Sequence, residues 1–346
     1  MRIGLAGFAG SGKTTVFNAM TGLDVPVGFG GEVRLGTVKV PDERIDRLSG
    51  IFSPKKTTYA EITFSDIPGE HGAEKKGLSR RALQQLRDMD AICLVLRDFA
   101  NPALEGDADV AADLEACHAE CVLADLEVVE RRLERARKEK LDAREEAAFR
   151  LMKATLEQER PLRSIPPAEL DRDLLRGYGL ITDRPLLVAL NRGEQAAAEP
   201  MSEILAARIE ELDAAGLVLS ASVEAEIAAL APEDQAAFLE DLGLLQPALG
   251  RFIRTAYGLL ELISFFTVGS DEVRAWTIRR GTRARQAAGR IHSDLERGFI
   301  RAEVMPYDVF MQYGSEAAVK EAGRFQIEGK DYIVSDGDIL SIRFNV

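Results

Sequence analysis

A glycine-rich segment near the amino terminus carries the residue types that hold a chain of phosphates. The pattern G-x-x-x-x-G-K-[ST] is matched in full by GFAGSGKT, residues 7–14. Glycines let consecutive backbone amides curl around phosphate oxygens, and the positive end of the following helix faces the same charge. Lys13 is predicted to reach the β- and γ-phosphates, and the Thr14 hydroxyl to take one position on Mg²⁺. The predicted phosphate contacts are Gly7, Gly10, Ser11, Gly12, Lys13, Thr14 and Thr15.

A second motif follows a predicted strand about 50 residues later. The stretch ITFSDIPGEHG contains a D-x-x-G pattern, in which Asp66 is predicted to hold Mg²⁺ through water. The Gly69 amide is predicted to sense the γ-phosphate. Glu70 follows, where many signalling GTPases have a glutamine that orients the attacking water. Glu70 could do the same, although the phosphate would repel its charge. The predicted catalytic residues are Lys13, Asp66, Gly69 and Glu70.

A third motif, LLVALNRGEQ at residues 186–195, is a candidate for recognising the base. Guanine readers use Asn-Lys-x-Asp, whereas this chain has Asn191, Arg192 and Glu194. The longer acid moves the carboxylate by on the order of 1 Å, and one unpaired polar group costs roughly 10- to 100-fold in affinity. Guanine selectivity should fall, which makes ATP plausible. Arg192 could stack on the base or pair with nearby acids. Backbone amides of Ser220, Ala221 and Ser222, after another strand, are predicted to face the base.

These motifs need a scaffold, and the hydrophobic pattern predicts an α/β one. Strand and helix signals alternate over the first hundred residues, which indicates a mostly parallel sheet with helices on both faces. A glycine- and proline-free stretch from about Asp107 to Glu159 predicts a helical hairpin or coiled-coil arm, although Lys140 interrupts its apolar seam. The last 85 residues predict a small α+β module with strands at ISFFTV, EVRAWTI, DYIVS and LSIRFNV. The predicted domains are 1–105 with 176–261 (P-loop domain), 106–175 (arm) and 262–346.

Composition restricts the possible partners. The 57 acidic and 44 basic residues give a net charge of −13, which argues against indiscriminate nucleic-acid binding. Residues 274–301, however, hold eight arginines and two acids. This local charge predicts either a specific anionic partner or a solvated surface. The candidates for RNA contacts are Arg279, Arg280, Arg283 and Arg285.

The remaining composition indicates a cytoplasmic protein. No apolar run approaches the ~18 residues of a membrane span, and MRIGLAGFAGSGKTT contains no secretory signal pattern. Cys93, Cys117 and Cys121 form no recognisable metal spacing, which is typical of buried thiols in a reducing compartment.

With these motifs in place, the chain resembles the Obg-like ATPase (YchF) family of translation-factor-related P-loop GTPases. The resemblance covers nearly the whole chain. Its most specific stretches are VPDERIDRL, CVLADLEVVERRL, PALGRFIRTAYGLLELISFFTVGSDEVRAW and EAGRFQIEGKDYIVSDGDILSIRFNV. It implies a G domain, an inserted helical arm and a C-terminal TGS-like domain. It also implies nucleotide hydrolysis coupled to ribosomes or related RNA-protein partners, with ATP accepted as well as or better than GTP. Asn191 and Glu194 fit the Asn-x-x-Glu pattern of this family.

The sequence departs from the family pattern around the terminal phosphate. Ala9 and Gly10 stand where the family usually has Pro and Asn, and VGFGGEVRLG lacks the threonine of the first switch. DIPGEHGAEKKGLS replaces the usual second switch. Nucleotide binding is therefore better supported than fast hydrolysis. Three functions stay open: a slow ATPase switch acting on ribosomes or RNA, a GTPase with relaxed base choice, and a nucleotide-binding module with little hydrolysis.

Overall fold

The chain divides into two units, each made of two stretches of sequence. The first unit contains Met1–Val38 and Thr63–Ala256, and the second contains Lys39–Ile62 and Tyr257–Val346. The structure, a computed structural model, describes residues 1–27, 32–68, 77–136, 142–175 and 177–345. The strands are β1 (Arg2–Ala6), β2 (Arg34–Lys39), β3 (Lys56–Thr58), β4 (Glu61–Asp66), β5 (Ala91–Asp98), β6 (Leu186–Arg192), β7 (Ala214–Leu219), β8 (Leu262–Thr267), β9 (Glu272–Arg279), β10 (Phe299–Pro306), β11 (Gln326–Glu328) and β12 (Asp338–Phe344). The helices are α1 (Lys13–Thr21), α2 (Glu43–Phe52), α3 (Arg80–Leu86), α4 (Val110–Ala136), α5 (Ala143–Leu156), α6 (Glu203–Glu211), α7 (Ala221–Ala229), α8 (Pro232–Asp241), α9 (Ala248–Leu259), α10 (Ala284–Ile291), α11 (Ser293–Arg297), α12 (Tyr307–Tyr313) and α13 (Glu316–Glu321).

The first unit contains a six-stranded sheet in the order β2-β4-β1-β5-β6-β7. The pairs β1–β4, β1–β5, β5–β6 and β6–β7 are parallel. Residues 91–97 of β5 are all buried, as expected of a central strand in a parallel sheet that is covered on both faces. The sheet therefore has the predicted architecture. Since β1, β4, β5 and β6 run in the same direction, the loops that follow them leave from one edge of the sheet.

The long glycine-free stretch forms a helical hairpin, as predicted. Two ion pairs join α4 to α5: Lys153 with Glu130 at 2.7 Å, and Arg132 with Glu145 at 2.8 Å. The apolar seam between them contains Val129 and Phe149, both fully buried. Helix α5 begins after Asp142, whose carboxylate accepts a bond from the Arg144 amide. Lys140 lies outside the described residues.

The second unit contains another six-stranded sheet, in the order β11-β10-β12-β8-β9-β3. Strands β8 and β9 are antiparallel, as are β10 and β12, whereas β3 is parallel to β9. Two predictions differ from this arrangement. The segment DYIVS was predicted as a strand, but within it only Ile333 forms an isolated bridge, to Arg283. Residues 39–62, which the predicted boundaries assign to the P-loop domain, belong to this unit, because β3 pairs with a strand more than 200 residues away.

Candidate functional site

The glycine-rich loop between β1 and α1 has a backbone that side chains would obstruct. Gly10 and Gly12 have φ angles of 77° and 86°, which L side chains rarely adopt. A Cβ atom on Gly10 would lie 2.6 Å from the Leu104 Cδ1 atom, and one on Gly12 would overlap the Asn191 amide. The left-handed Gly12 also precedes the first residue of α1, Lys13. The sequence motif thus corresponds to a tightly curled loop at a helix amino terminus.

Lys13 lies within this loop and is only 6% exposed. Its ammonium donates to the carbonyls of Gly7 and Phe8, each at 2.8 Å. Burial lowers the pKa of the Lys13 ammonium to about 8, while the nearby Asp66 charge acts in the opposite direction. Most of the ammonium is therefore charged at neutral pH, and it is held by two carbonyl dipoles that a phosphate could replace.

Thr14 and Asp66 meet across the sheet edge beside the loop. The Thr14 hydroxyl donates to Asp66 Oδ2 at 2.9 Å, and Asp66 is 3% exposed. Burial raises the pKa of the Asp66 carboxyl, whereas the Thr14 bond and the charges of Lys13 and Arg34 oppose this shift. Within the described ranges, the buried Asp66 Oδ1 and Ser11 Oγ atoms have no hydrogen-bond partner. A carboxylate oxygen without a partner beside a hydroxyl fits the oxygen ligands that Mg²⁺ prefers.

A cleft of about 360 Å³ opens above these side chains. This volume lies within the range of small-molecule sites. It is lined by Ala9, Gly10, Gly12, Lys13, Thr14, Thr15, Val27, Glu32, Arg34, Asp66, Pro68 and Phe99–Ala103. The predicted residues Gly69 and Glu70 lie outside the described residues.

Asn191 connects the predicted base site to the phosphate loop. It is 3% exposed at the end of β6, and its Nδ2 atom donates to the Ser11 carbonyl at 3.0 Å. Its Oδ1 atom accepts a bond from the Ala221 amide, also at 3.0 Å. The sequence analysis predicted that the Ala221 amide faces the base. In the structure this amide instead donates its hydrogen bond to the Asn191 side chain. Asn191 therefore connects the phosphate loop to the loop after β7, and both its Nδ2 and Oδ1 atoms have hydrogen-bond partners.

The other predicted base residues have different surroundings. Arg192 follows the second of its two predicted roles, since its Nε atom pairs with Asp98 Oδ2 at 2.7 Å and its Nη1 atom donates to the Glu199 carbonyl at 2.7 Å. Glu194 is exposed at the first residue of a short 3₁₀ helix, Glu194–Ala196. The hydroxyls of Ser220 and Ser222 lie 3.1 Å apart, with Ser220 buried and Ser222 exposed.

The loop after β5 contributes residues that the motifs did not predict. Asn101 donates through Nδ2 to the Gly10 carbonyl at 3.2 Å and accepts a bond from the Ala103 amide at 3.1 Å. The Phe99 ring lines the same cleft, and its Cζ atom would lie 3.7 Å from a Cβ on Gly12. The rule that ligands bind beyond the carboxyl ends of parallel strands could have indicated this loop, because β5 neighbours β1.

The predicted RNA-contact arginines belong to the second unit. Arg279 and Arg280 are exposed at the end of β9. Arg283 is exposed immediately before α10, and Arg285 is exposed in the first turn of that helix. Arg283 pairs with Asp331 at 2.9 Å, and the Arg285 Nε atom donates to the Glu296 carbonyl at 3.2 Å. The four side chains thus remain on the surface, two of them with internal partners.

The described residues contain no other recognisable centre of metal or membrane chemistry. No group of three or more His, Cys, Asp and Glu side chains in them could hold a metal ion. Cys93, Cys117 and Cys121 are free thiols. None of the helices in these ranges is both long enough and apolar enough to cross a membrane.

A curled loop between a parallel strand and a helix, with a carboxylate at the end of the neighbouring strand, places the first unit among the P-loop GTPases. A family model described as "50S ribosome-binding GTPase" matches residues 2–126. The YchF-GTPase_C model, described as a protein of unknown function, matches residues 262–345.

Full-length relatives define the family more narrowly. The chain is 38% identical to the ribosome-binding ATPase YchF of Bacillus subtilis, over 99% of both chains. It is 35% identical to Obg-like ATPase 1 of Oryza sativa, over 100% of this chain and 92% of the relative. The solved YchF GTPase of Schizosaccharomyces pombe superimposes with a TM-score of 0.85 at 29% identity, covering 99% of this chain and 97% of that one. The chain belongs to the YchF family of Obg-like ATPases, as the sequence resemblance indicated.

Proposed function

We propose that this protein binds ATP or GTP with Mg²⁺ in the cleft of the first unit and hydrolyses it slowly, as a switch that associates with ribosomes or RNA. The observation that carries the proposal is the buried Lys13 ammonium beside the Thr14–Asp66 pair, whose Asp66 Oδ1 atom has no partner within the described ranges. A cation and a pair of oxygen ligands at one loop suit a Mg²⁺-bound polyphosphate.

Each residue of the loop has a role in this proposal. The backbone amides of Gly10, Ser11 and Gly12 would surround the phosphates, and Thr15 would extend the cradle from the first turn of α1. Lys13 would exchange its two carbonyl partners for phosphate oxygens. Thr14 and Asp66 would hold Mg²⁺, which neutralises charge on the two terminal phosphates when bound.

The choice of base is the second part of the proposal. Glu194 is exposed three residues after Asn191, where a carboxylate longer than aspartate would disturb the paired hydrogen bonds to guanine. A lost pairing costs roughly 10- to 100-fold. The Bacillus relative is called an ATPase and the fission-yeast structure a GTPase, so the relatives' names support both bases. We favour ATP, with relaxed GTP use as the alternative.

Slow turnover follows from the residues near the terminal phosphate. The first-switch segment VGFGGEVRLG has no threonine to supply a second hydroxyl to Mg²⁺, and Glu70 replaces the glutamine that orients water in signalling GTPases. Binding with little hydrolysis is the remaining alternative.

A ribosomal or RNA partner is supported by the relative's name and by the exposed arginines of the second unit. The Bacillus relative is named a ribosome-binding ATPase. Arg279, Arg280, Arg283 and Arg285 would contact phosphates through a TGS-like domain at 262–346. The proposal retains the P-loop domain within 1–105 and 176–261, without residues 39–62 and 257–261, which belong to the second unit, and keeps the arm at 106–175. The free thiols support a reducing cytoplasmic location.

Calorimetric titration of the purified protein with ATP and with GTP, in Mg²⁺, tests the base and phosphate sites together. We expect tighter ATP binding, and equal or tighter GTP binding would contradict the base argument. Lys13→Ala should abolish most binding, whereas Lys55→Ala removes an exposed cation paired with Asp271 and should not. Normal nucleotide binding by Lys13→Ala would overturn the phosphate site.

Turnover measured with and without ribosomes tests the switch. Detectable hydrolysis that ribosomes accelerate is expected, and none in either condition would favour a pure binding module. Exchanging Arg279 and Arg280 for alanine should weaken ribosome binding and reduce its salt dependence by about one unit of slope per lost phosphate contact. Exchange of Arg47 and Arg150, which are exposed on α2 and α5, serves as the charge-matched control.

A further inference from the structure

Arg34 is a cation in the phosphate cleft to which none of the motifs gives a role. It begins β2, is half-buried, and lines the same cleft as Lys13, Thr14 and Asp66. Its Nη1 atom donates to the Pro26 carbonyl at 3.1 Å. Within the described ranges this is the single hydrogen bond of the Arg34 side chain, and no carboxylate lies at ion-pair distance from it. A guanidinium has five N–H donors, so most of its binding capacity remains for a ligand.

Strand order gives the direction in which a nucleotide must lie. In the sheet β2-β4-β1-β5-β6-β7, the proposed base site follows β6 and β7, on one side of β1. Asp66 at the end of β4 and Arg34 at the start of β2 lie on the other side. A nucleotide with its base at β6 and its phosphates along the loop after β1 therefore directs its terminal phosphate towards β4 and β2.

The pairing of β2 with β4 brings Arg34 next to the proposed metal site. The Thr37 and Thr63 hydroxyls lie 3.4 Å apart. Further along, the Val40 amide donates to the Ala60 carbonyl at 2.8 Å, so residue numbers rise on one strand as they fall on the other. Extending this antiparallel register three residues in the opposite direction places Arg34 across from Asp66.

We propose that Arg34 contacts the terminal phosphate of the bound nucleoside triphosphate, an inference that rests on the proposed function. A guanidinium binds two phosphate oxygens through its planar fork, and it stays charged at any physiological pH. Arg34 thereby provides, from the first-switch side, an interaction with the terminal phosphate in a segment that lacks the usual threonine.

The same contact would act during hydrolysis. Water forms a bond to the terminal phosphorus, the bond to the bridging oxygen breaks, and its electron pair leaves with the diphosphate. The proton of the water passes to the released phosphate or to solvent, not to Arg34. The guanidinium stabilises the charge on the transferred phosphoryl oxygens, as an arginine supplied from within the same chain does in other GTPases.

The test compares binding of ADP with binding of a non-hydrolysable ATP analogue, both in excess Mg²⁺. Arg34→Gln keeps a polar side chain with hydrogen-bond donors but removes the charge. It should weaken analogue binding roughly 10- to 100-fold, the usual loss for a hydrogen bond to a charged group, while ADP affinity changes less than about threefold. Arg34→Lys should retain part of the preference for the ATP analogue over ADP. Arg47→Gln removes an exposed charge on α2 and should leave that preference unchanged.

The ratio of the two affinities separates the possible failures. Equal losses for ADP and the analogue would mean that Arg34 only orders its own segment, and no loss for either would mean that it makes no contact. Either result overturns the inference and leaves the nucleotide site intact. Failure of the unaltered protein to bind both nucleotides would overturn the proposed function, and this inference with it.

Discussion

The side-chain amide of Asn191 donates to the Ser11 carbonyl at 3.0 Å and so fastens the end of β6 to the phosphate loop. The other end of the same amide accepts a bond from Ala221. One buried side chain therefore sets the spacing between the phosphate loop and the two loops proposed to hold the base. Its contribution should be visible without any ligand.

Asn191→Ala should destabilise the first unit by about 2–4 kcal/mol, because it leaves the buried Ser11 carbonyl and Ala221 amide without partners. Denaturant unfolding of the nucleotide-free protein measures this cost. Gln195→Ala, at an exposed position four residues later, is the control. A loss below about 0.5 kcal/mol for Asn191→Ala would show that the two loops keep their spacing without it.

Asp66→Asn should reduce nucleotide affinity roughly 10- to 100-fold in Mg²⁺ and hardly at all when the metal is chelated. The reason is that an amide cannot replace the charge that a water-mediated carboxylate contributes to Mg²⁺. Titrations with and without Mg²⁺ measure the difference, with the exposed Asp88→Asn as control. The same loss in both conditions would indicate a structural role for Asp66 instead.

Phe149→Ala should cost about 3–5 kcal/mol of unfolding free energy, because the ring is fully buried between the hairpin helices and lies edge-on to Tyr178. Leu123→Ala on the same hairpin, where the side chain is 59% exposed, should cost little. Chemical unfolding followed by far-UV circular dichroism compares the two. Similar values for both variants would contradict the packing of the hairpin.

His118 should make stability fall as the pH drops below about 6.5. Burial lowers the pKa of His118 in the folded protein, helped by the charges of Arg163 and Arg208 and opposed by the Glu159 carbonyl and the Glu115 charge. The unfolded chain therefore binds the proton more readily, and the stability that His118 contributes is present above its unfolded pKa and lost below it. The slope from this residue is at most about 1.4 kcal/mol per pH unit.

Unfolding free energies measured between pH 5 and 7.5 check this slope. His118→Gln should flatten it, because the glutamine side chain does not bind a proton in this pH range. An equal slope in the unaltered protein and in His118→Gln would contradict the prediction.

The sequence predicted those elements that depend on a motif or a hydrophobic pattern within one continuous segment. The phosphate loop, the end of β4 at Asp66 and the helical hairpin each depend on residues within one short segment. The engagement of Ala221 by Asn191 could not be predicted in this way, because a buried asparagine next to a turn does not specify which amide it will meet. The role proposed for Arg34 could not be predicted from the sequence either, because the proximity of Arg34 to Asp66 depends on the register between β2 and β4.

The second sheet shows the same limitation over a longer distance. DYIVS alternates like a strand, but the chain there forms only one bridge, at Ile333. Strand β3 has three residues, too few for a period, and its partner β9 begins at Glu272. The alternation of EVRAWTI predicts β9 itself, but it does not specify which distant segment pairs with that strand.

The position of β3 also has a consequence for synthesis of the chain. A ribosome adding 5–20 residues per second needs roughly 10–40 s to extend the chain from Thr58 to Glu272. During that interval α2 and β3 have been synthesised, whereas β9 to β12 of the sheet to which β3 belongs do not yet exist. The second unit therefore cannot finish folding until the carboxyl-terminal quarter of the chain is made, and a fragment beginning at Tyr257 would lack one edge of its sheet.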